Sequence, residues 1–280
     1  MPTVFASIPS PPIRAIEIGP LRVTFYGICI AIGVALAWTL LRRRYEAGGG
    51  DTSVVERIVF WMVLIGFLGA RAAYVSTHLD RFQGEWWKVI AIWEGGLAFY
   101  GGLTAGAITA LVLIRRWGAD LRLFLDAAAP AIPLAQVVGR WGNWFNQELF
   151  GTPTDLPWGL EIDPAHRPPQ YAGFETFHPT FLYESLGNLI VVGLILWAER
   201  RFPAIRGKLL ALYLVGYGML RFGMELLRTD TTFRFLGLSR NAWVSLGGIL
   251  VGIVVAARLQ PIDRQPLGGL GPGRSAPTAT

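Results

Sequence analysis

The sequence predicts an all-α polytopic membrane protein, with about seven transmembrane helices and a small extracytoplasmic cap. Hydrophobic residues make up 52% of the 280 residues and charged residues only 16%, and the mean hydropathy is +0.43. A chain with so few charges cannot cover itself with polar surface in water. Lipid must therefore solvate much of it.

Seven apolar stretches approach the length of about 20 residues that a helix needs to cross a bilayer. They are residues 23–41, 54–77, 97–114, 121–138, 180–198, 209–227 and 242–257. Pro130 and Pro133 interrupt the fourth stretch, so we expect a kink or a partly re-entrant path there.

These stretches define three regions. Residues 1–22 are an extracytoplasmic N-terminal segment, and residues 23–257 form one transmembrane domain that includes a cap loop at 141–179. Residues 258–280 are rich in Pro, Gly and Ser, which predicts a disordered cytoplasmic tail.

Basic residues alternate between the loops. Fourteen lysines and arginines lie in or directly beside the first, third and fifth connections and in the tail. Nine lie in or beside the N-terminal segment and the other loops. The positive-inside rule then places the N-terminus outside and the tail in the cytoplasm. The net charge of +6 could suggest nucleic acid, but the cations form short clusters between apolar runs, so we predict no nucleic-acid partner.

The sequence carries no pattern for a metal or cofactor. His78, His166 and His178 lack metal-ligand spacing, and Cys29 is the only cysteine. There is no H-E-x-x-H, no G-x-S-x-G and no phosphate-binding P-loop, which argues against a metalloprotease, a serine hydrolase or a nucleotide-driven protein. We therefore predict no metal and no cofactor.

The predicted orientation places several polar side chains in the outer half of the membrane. Ionisable groups at that depth cost at least a few kcal/mol each, so they need partners or a task. Several at one level predict a polar cavity that opens toward the outer leaflet. The residues concerned are Tyr26, Arg71, Tyr100, Arg140, Glu184, Arg221, Glu225 and Arg228.

The densest polar run is GRWGNWFNQELFG at residues 139–151. The planar guanidinium of Arg140 suits a phosphodiester because it can donate to two oxygens, and the amides of Asn143 and Asn146 add further donors. The run is a candidate phosphate-head-group site. An interfacial segment with aromatic anchors and a snorkelling arginine is the competing interpretation.

Arg221, Glu225 and Arg228 lie at i, i+4 and i+7, which places them on one helix face and allows the carboxylate to pair with both cations. A buried structural salt bridge would explain Glu225, whereas Arg221 is a candidate second phosphate ligand. Glycine pairs at 95–96 and 101–102 flank Tyr100. Small residues in membrane helices are usually packing sites, and an interfacial anchor is the competing interpretation of Tyr100.

Taken together, these residues resemble the prolipoprotein diacylglyceryl transferase family of bacteria. The 139–151 run is the most specific motif, and four others support it. They are GARAAYV at 69–75, FYGG at 99–102, HPTFLYES at 178–185 and YGMLRFGMELLR at 217–228, in the expected order across roughly residues 22–254.

The resemblance implies a transferase of the bacterial plasma (inner) membrane. It would move the diacylglyceryl group of phosphatidylglycerol to the lipobox cysteine of a preprolipoprotein, forming a thioether and releasing glycerol phosphate. Its partners would be that lipid, the lipobox segment and the surrounding membrane lipids. Because the nucleophile belongs to the substrate, Cys29 would be dispensable.

The resemblance also implies roles for individual residues. Arg140 and Arg221 would stabilise the leaving phosphate as it gains charge. The remaining residues would bind or shape the lipid site: Asn143, Glu148 and Gly151, with Tyr26 and Glu225 in support and Arg71 and Asn146 as further binding residues.

Tyr100 departs from the pattern, since some members of the family carry histidine at this place. An ordinary tyrosine hydroxyl, with a pKa of about 10, is a poor base at neutral pH. The proton acceptor therefore stays open among Tyr100, Glu148 and the phosphate itself. A lipid or solute transporter and a non-catalytic scaffold are the competing functions, although no paired halves with broken helices support a transporter.

Overall fold

The computed structural model describes residues 7–19, 21–91, 95–228 and 234–267. Within these residues it has seven α-helices, which confirms the predicted all-α class. They are α1 (Phe25–Ala47), α2 (Thr52–Thr77), α3 (Phe99–Arg116), α4 (Leu121–Asn146), α5 (Thr180–Arg201), α6 (Leu209–Glu225) and α7 (Arg240–Arg258). Five of them, α1, α2, α4, α5 and α7, are long and apolar enough to cross a membrane. The other two, α3 and α6, are shorter, with 18 and 17 residues.

Large apolar side chains stay exposed along the spanning helices. Leu68 on α2, Ile190 on α5 and Leu250 on α7 each expose more than half of their surface. Contiguous apolar surface of this kind is rare on proteins that are stable in water. The exposed faces therefore fit helices that are surrounded by lipid, and the chain is a multi-pass membrane protein.

Helix α4 continues through the two prolines and beyond the stretch predicted from hydrophobicity. Pro130 and Pro133 both lie inside the helix. Each proline removes one backbone donor, and a membrane helix that is packed against its neighbours tolerates such losses. The helix ends at Asn146. The first residues of the predicted cap loop, 141–146, are thus its last turns, which places their side chains on a rigid element.

The described chain forms two units. The larger unit contains residues 7–40 and 125–267, and the smaller unit contains residues 41–124.

In the smaller unit, α2 and α3 pack through glycines. A Cβ atom added at Gly69 would lie 2.3 Å from the Cβ of Ala105 and 3.0 Å from the carbonyl oxygen of Gly101. One added at Gly101 would lie 2.7 Å from the carbonyl oxygen of Gly69. The two backbones touch because neither glycine has a side chain, as is common where membrane helices meet.

In the larger unit, small residues again set the helix contacts. A Cβ at Gly33 of α1 would lie 2.8 Å from the carbonyl oxygen of Ala135 on α4, and one at Gly252 of α7 would lie 2.8 Å from that of Ala211 on α6. A buried apolar cluster joins α4, α5 and α6, formed by Ala129, Val191, Ile195, Leu209 and Tyr213.

The cap contains a short antiparallel pair, β3 (Leu160–Glu161) and β4 (Thr176–Phe177). The N-terminal segment joins it, since Ile8 forms a bridge with Leu160. A buried apolar cluster joins the cap to the start of α5, formed by Phe150, Leu160, Ile162, Phe177 and Phe181. Two more antiparallel pairs precede α1 and α7, β1 (Ala15–Ile18) with β2 (Leu21–Thr24) and β5 (Arg234–Phe235) with β6 (Leu238–Ser239).

Residues 259–267 pack against the connection between α5 and α6. The buried carboxylate of Asp126 accepts hydrogen bonds from the Arg264 guanidinium and from the amide of Gly207. The buried Glu199 accepts one from the amide of Leu267 at 3.2 Å. The remainder of the predicted disordered tail, 268–280, lies outside the described residues.

Replacing Gly69 with valine should separate α2 from α3. The added side chain meets Ala105 and a backbone oxygen, so we expect a loss of about 1–3 kcal/mol in the free energy of unfolding, measured by thermal unfolding in detergent. Gly193→Val is the matched control, because a Cβ at Gly193 meets nothing within 4 Å. Equal melting temperatures for the two variants would contradict this packing.

Candidate active site

The last turns of α4 hold a buried ion pair. Arg140 Nη2 lies 2.6 Å from Glu184 Oε2 on α5, and Arg140 Nη1 donates to Asn143 Oδ1 at 3.4 Å. The Glu184 side chain is 2% exposed and that of Arg140 is 18% exposed. The carboxylate therefore lies behind the guanidinium, which keeps part of its surface open.

Asn143 and Asn146 connect this pair to the turn that follows α4. Both side-chain amides donate to Glu148 Oε1, at 2.9 Å and 3.2 Å. Glu148 itself is exposed, and within the described part of the chain its Oε2 carries no hydrogen bond. The structure thus brings together four predicted residues, Arg140, Asn143, Asn146 and Glu148, in one hydrogen-bonded chain.

The turn that carries Glu148 is held in an unusual backbone conformation. Gln147 and Leu149 have positive φ angles of 51° and 59°, a region that non-glycine residues seldom adopt. Both ends of the Gln147 side-chain amide bond Asp163 of the cap. Nε2 donates to Asp163 Oδ2 at 2.6 Å, and Oε1 accepts from the Asp163 backbone amide at 2.8 Å. These bonds fix the direction in which Glu148 points.

Gly151 lies where three segments meet. A Cβ added there would lie 2.8 Å from the Cβ of His178 and 3.0 Å from the carbonyl oxygen of Leu227. Gly151 also forms an antiparallel bridge with Arg228. The absence of a side chain therefore lets the end of α6 approach the turn after α4.

His178 does not add a cation to this region. Burial lowers the pKa of its imidazole below the ordinary value, because a charged ring would lose solvation. The ring is then neutral at pH 7. Positive charge near the turn after α4 comes from arginines instead.

A second buried ion pair lies on α6. Arg221 Nη1 is 2.8 Å from Glu225 Oε2, and the two side chains are 12% and 3% exposed, so the predicted i, i+4 pairing is confirmed. Glu225 Oε1 also accepts a hydrogen bond of 2.6 Å from Ser239 Oγ. Since Ser239 is the N-cap residue of α7, the carboxylate joins α6 to α7 and again lies behind its arginine.

Tyr26, the second residue of α1, packs on the end of α4. A Cβ at Gly142 would lie 2.6 Å from Tyr26 Cδ2, and the adjacent ring of Phe25 stacks on Phe145 at a centroid distance of 4.7 Å. Tyr26 therefore lies against the last turns of α4, which carry Arg140 and Asn143.

Tyr100 and Arg71 belong to the smaller unit. Tyr100 is 49% exposed at the start of α3, and its ring contacts that of Phe99 at a centroid distance of 5.5 Å. The Arg71 guanidinium is buried and donates to four backbone carbonyls of the segment before α3. Arg71 thus has a different environment from the two ion-paired arginines.

Three residues that contribute to the site are absent from the predicted site residues. Glu184 belongs to the predicted polar layer and Gln147 to the polar run, and no motif includes Asn188. Asn188 is fully buried and donates to the Glu184 carbonyl at 2.7 Å. The signal in the sequence is a carboxylate and an amide one turn apart near the start of an apolar span.

The fold and this site define a membrane protein with two buried arginine–carboxylate pairs, one of which is connected through Asn143 to the exposed carboxylate of Glu148. The model of the prolipoprotein diacylglyceryl transferase family matches residues 13–258, and the chain belongs to that family. This confirms the resemblance carried by the sequence motifs.

Three relatives illustrate the similarity. Phosphatidylglycerol--prolipoprotein diacylglyceryl transferase 2 of Streptomyces coelicolor is 46% identical over 262 residues, covering 91% of this chain and 83% of the relative. Phosphatidylglycerol--prolipoprotein diacylglyceryl transferase of Frankia alni is 45% identical, and the match covers 93% of this chain and 70% of the relative. The Cutibacterium acnes counterpart is 43% identical, with coverage of 80% and 77%.

Removing the carboxylate behind Arg140 should destabilise the fold. Glu184→Ala leaves a largely buried guanidinium without its partner, so we expect a loss of about 3–5 kcal/mol in the free energy of unfolding. Glu184→Gln, which keeps an oxygen acceptor and the side-chain volume, should lose less. Thermal unfolding of both variants in detergent checks this, and a Glu184→Ala protein as stable as the wild type would refute the pairing.

Proposed function

We propose that this chain transfers the diacylglyceryl group of phosphatidylglycerol to the thiol of a lipobox cysteine in a preprolipoprotein. The products are a thioether-linked lipid on the protein and glycerol phosphate. Family membership and the names of the relatives support this activity. The observation that carries it is Arg140, a guanidinium with a buried counter-ion behind it and 18% of its side chain still exposed.

Phosphate recognition follows from this geometry. A guanidinium can donate to two oxygens of a phosphodiester while it keeps a further donor for a carboxylate. Arg140 already uses Nη2 for Glu184, and the phosphate takes its open side. Arg221, held in the same way by Glu225, is the second ligand. Asn146 and Tyr26 contribute further polar contacts in the larger unit. Tyr100, in the smaller unit, is a separate candidate lipid-binding residue, through its hydroxyl.

The reaction breaks one C–O bond and forms one C–S bond. The cysteine sulfur attacks the carbon of the diacylglyceryl group that bears the phosphate oxygen. The electron pair of the broken C–O bond stays on that oxygen. The leaving glycerol phosphate therefore gains negative charge, which two guanidinium groups stabilise more strongly in the transition state than in the bound lipid.

The thiol proton goes to Glu148 in this proposal. Two amides donate to its Oε1, so the carboxylate is fixed in orientation while its Oε2 can accept a proton. Asn143 connects Glu148 to Arg140, which ties the proton acceptor to the phosphate ligand. A thiol with an ordinary pKa of about 8.5 is mostly protonated at neutral pH. By accepting its proton, Glu148 supplies the thiolate that attacks the lipid.

We place the protein in the bacterial plasma membrane with its N-terminus outside. The support is the concentration of cations in the odd-numbered connections and the tail. In this orientation the ends of α4 and α6 face the outer leaflet, where secreted precursors emerge. The anionic lipid then reaches the site sideways from the membrane.

The purified protein mixed with phosphatidylglycerol and a lipobox peptide should release glycerol phosphate and lipidate the peptide. Arg140→Lys should lower kcat/KM by about 100-fold, because an ammonium keeps the charge opposite Glu184 but cannot form the two-oxygen fork. A peptide with serine in place of the lipobox cysteine is the negative control. No glycerol phosphate from the wild-type protein, or equal turnover by Arg140→Lys at equal folded fraction, would contradict the proposal.

A further inference from the structure

Arg71 donates from all three guanidinium nitrogens to backbone carbonyls in two stretches, residues 88–89 and 95–96. Nε donates to the Val89 carbonyl at 2.8 Å and Nη2 to the Lys88 carbonyl at 2.5 Å. Nη1 donates to the carbonyls of Gly95 and Gly96 at 2.6 Å and 3.0 Å. All three nitrogens are therefore engaged, and the residue is only 7% exposed.

The surroundings hold this guanidinium in place. Its carbon lies 5.8 Å from the ring centroid of Tyr74 and 5.4 Å from that of Phe82, distances at which a cation is attracted to an aromatic ring. No acidic side chain pairs with Arg71 among the described residues. Its charge is thus balanced by carbonyl dipoles and rings, unlike the charges of Arg140 and Arg221.

The second of these stretches leads into α3. Gly95 and Gly96 have φ angles of +84° and +74°, and a Cβ at Gly96 would lie 2.5 Å from Tyr74 Cε1. Two residues later the Ala98 amide donates to the Ala70 carbonyl at 2.9 Å. Ala98 is the N-cap residue of α3 and forms no side-chain cap, so these backbone contacts fix where the helix begins.

We infer that Arg71 is a positioning residue, which fixes the glycine turn before α3 and thereby the place of Tyr100, and that it does not bind the lipid itself. The inference rests on the proposed function, in which Tyr100 is a lipid-binding residue. It replaces the direct substrate-binding role that the sequence suggested for Arg71. Tyr100 is the second residue of α3, so a shift of the helix start moves its hydroxyl directly.

Lysine cannot perform this role. A guanidinium has five N–H donors in a fixed fork, whereas an ammonium has three donors on a single atom. An ammonium at this position cannot span carbonyls that lie on both Lys88–Val89 and Gly95–Gly96. Arg71→Lys therefore keeps the charge and loosens the turn.

A double-mutant cycle with Tyr100→Phe tests the inference. Kinetics of glycerol phosphate release against phosphatidylglycerol concentration should show each single variant lowered about five- to tenfold in kcat/KM, the size of one or two hydrogen bonds. The double variant should be within about twofold of Tyr100→Phe alone, because the effect of Arg71 passes through Tyr100. Losses that multiply would identify Arg71 as a lipid ligand and overturn the inference.

Hydrogen exchange at the Ala98 amide gives an independent readout. We expect at least tenfold faster exchange in Arg71→Lys and no change in the matched control Arg81→Lys, whose exposed guanidinium donates to the Tyr74 hydroxyl at 2.8 Å. Unchanged exchange in Arg71→Lys would overturn the inference. If the wild-type protein releases no glycerol phosphate, the proposed function fails, while the exchange result still decides whether Arg71 holds the turn.

Gly96→Ala provides a second route if Arg71→Lys does not fold. It disturbs the same turn from the other side, through Tyr74 and the positive φ angle. Combined with Tyr100→Phe, it should again lower kcat/KM to within about twofold of the Tyr100→Phe variant alone. Multiplicative losses in this pair would likewise contradict the positioning role.

Discussion

The ion pair between Arg140 and Glu184 is the constraint on which the rest of the larger unit depends. Two charges removed from water are unfavourable unless they stay in contact and keep further hydrogen bonds. The end of α4 must therefore stay beside the start of α5, and the 2.6 Å contact fixes their relative position. The Asn143 and Glu148 chain, the turn at Gln147 and the close approach at Gly151 all build on that position.

Both candidate phosphate ligands, Arg140 and Arg221, are held by a buried carboxylate. In each pair the carboxylate is almost completely buried, at 2% and 3% exposure, and the arginine is more exposed, at 18% and 12%. A buried carboxylate fixes the guanidinium without competing for its open side. The smaller unit holds Arg71 differently, with carbonyls on every nitrogen, which separates a structural arginine from those that can bind an anion.

Much of the fold could be predicted because hydrophobic length and small residues determine it. Hydrophobicity located all seven helices, but it ended the fourth near residue 138, since Arg140, Asn143 and Asn146 look like loop residues until their partners are known. The i, i+4 spacing predicted the Arg221 and Glu225 pair because both lie on one helix. The Arg140 and Glu184 pair joins two helices far apart in sequence, and spacing carries no information about such contacts. For the same reason the sequence gives no sign of the bonds from Arg71 to carbonyls 17 to 25 residues away.

Lipid binding in the absence of peptide tests the central claim most directly, because it separates phosphate recognition from chemistry. Native mass spectrometry can count phosphatidylglycerol and zwitterionic phosphatidylcholine on the wild-type protein and on Arg140→Lys. We expect the wild type to prefer phosphatidylglycerol and the variant to bind it at least tenfold more weakly, as the loss of a bidentate, charge-assisted contact requires. Equal retention of phosphatidylglycerol by the two proteins would contradict a site built around the Arg140 guanidinium.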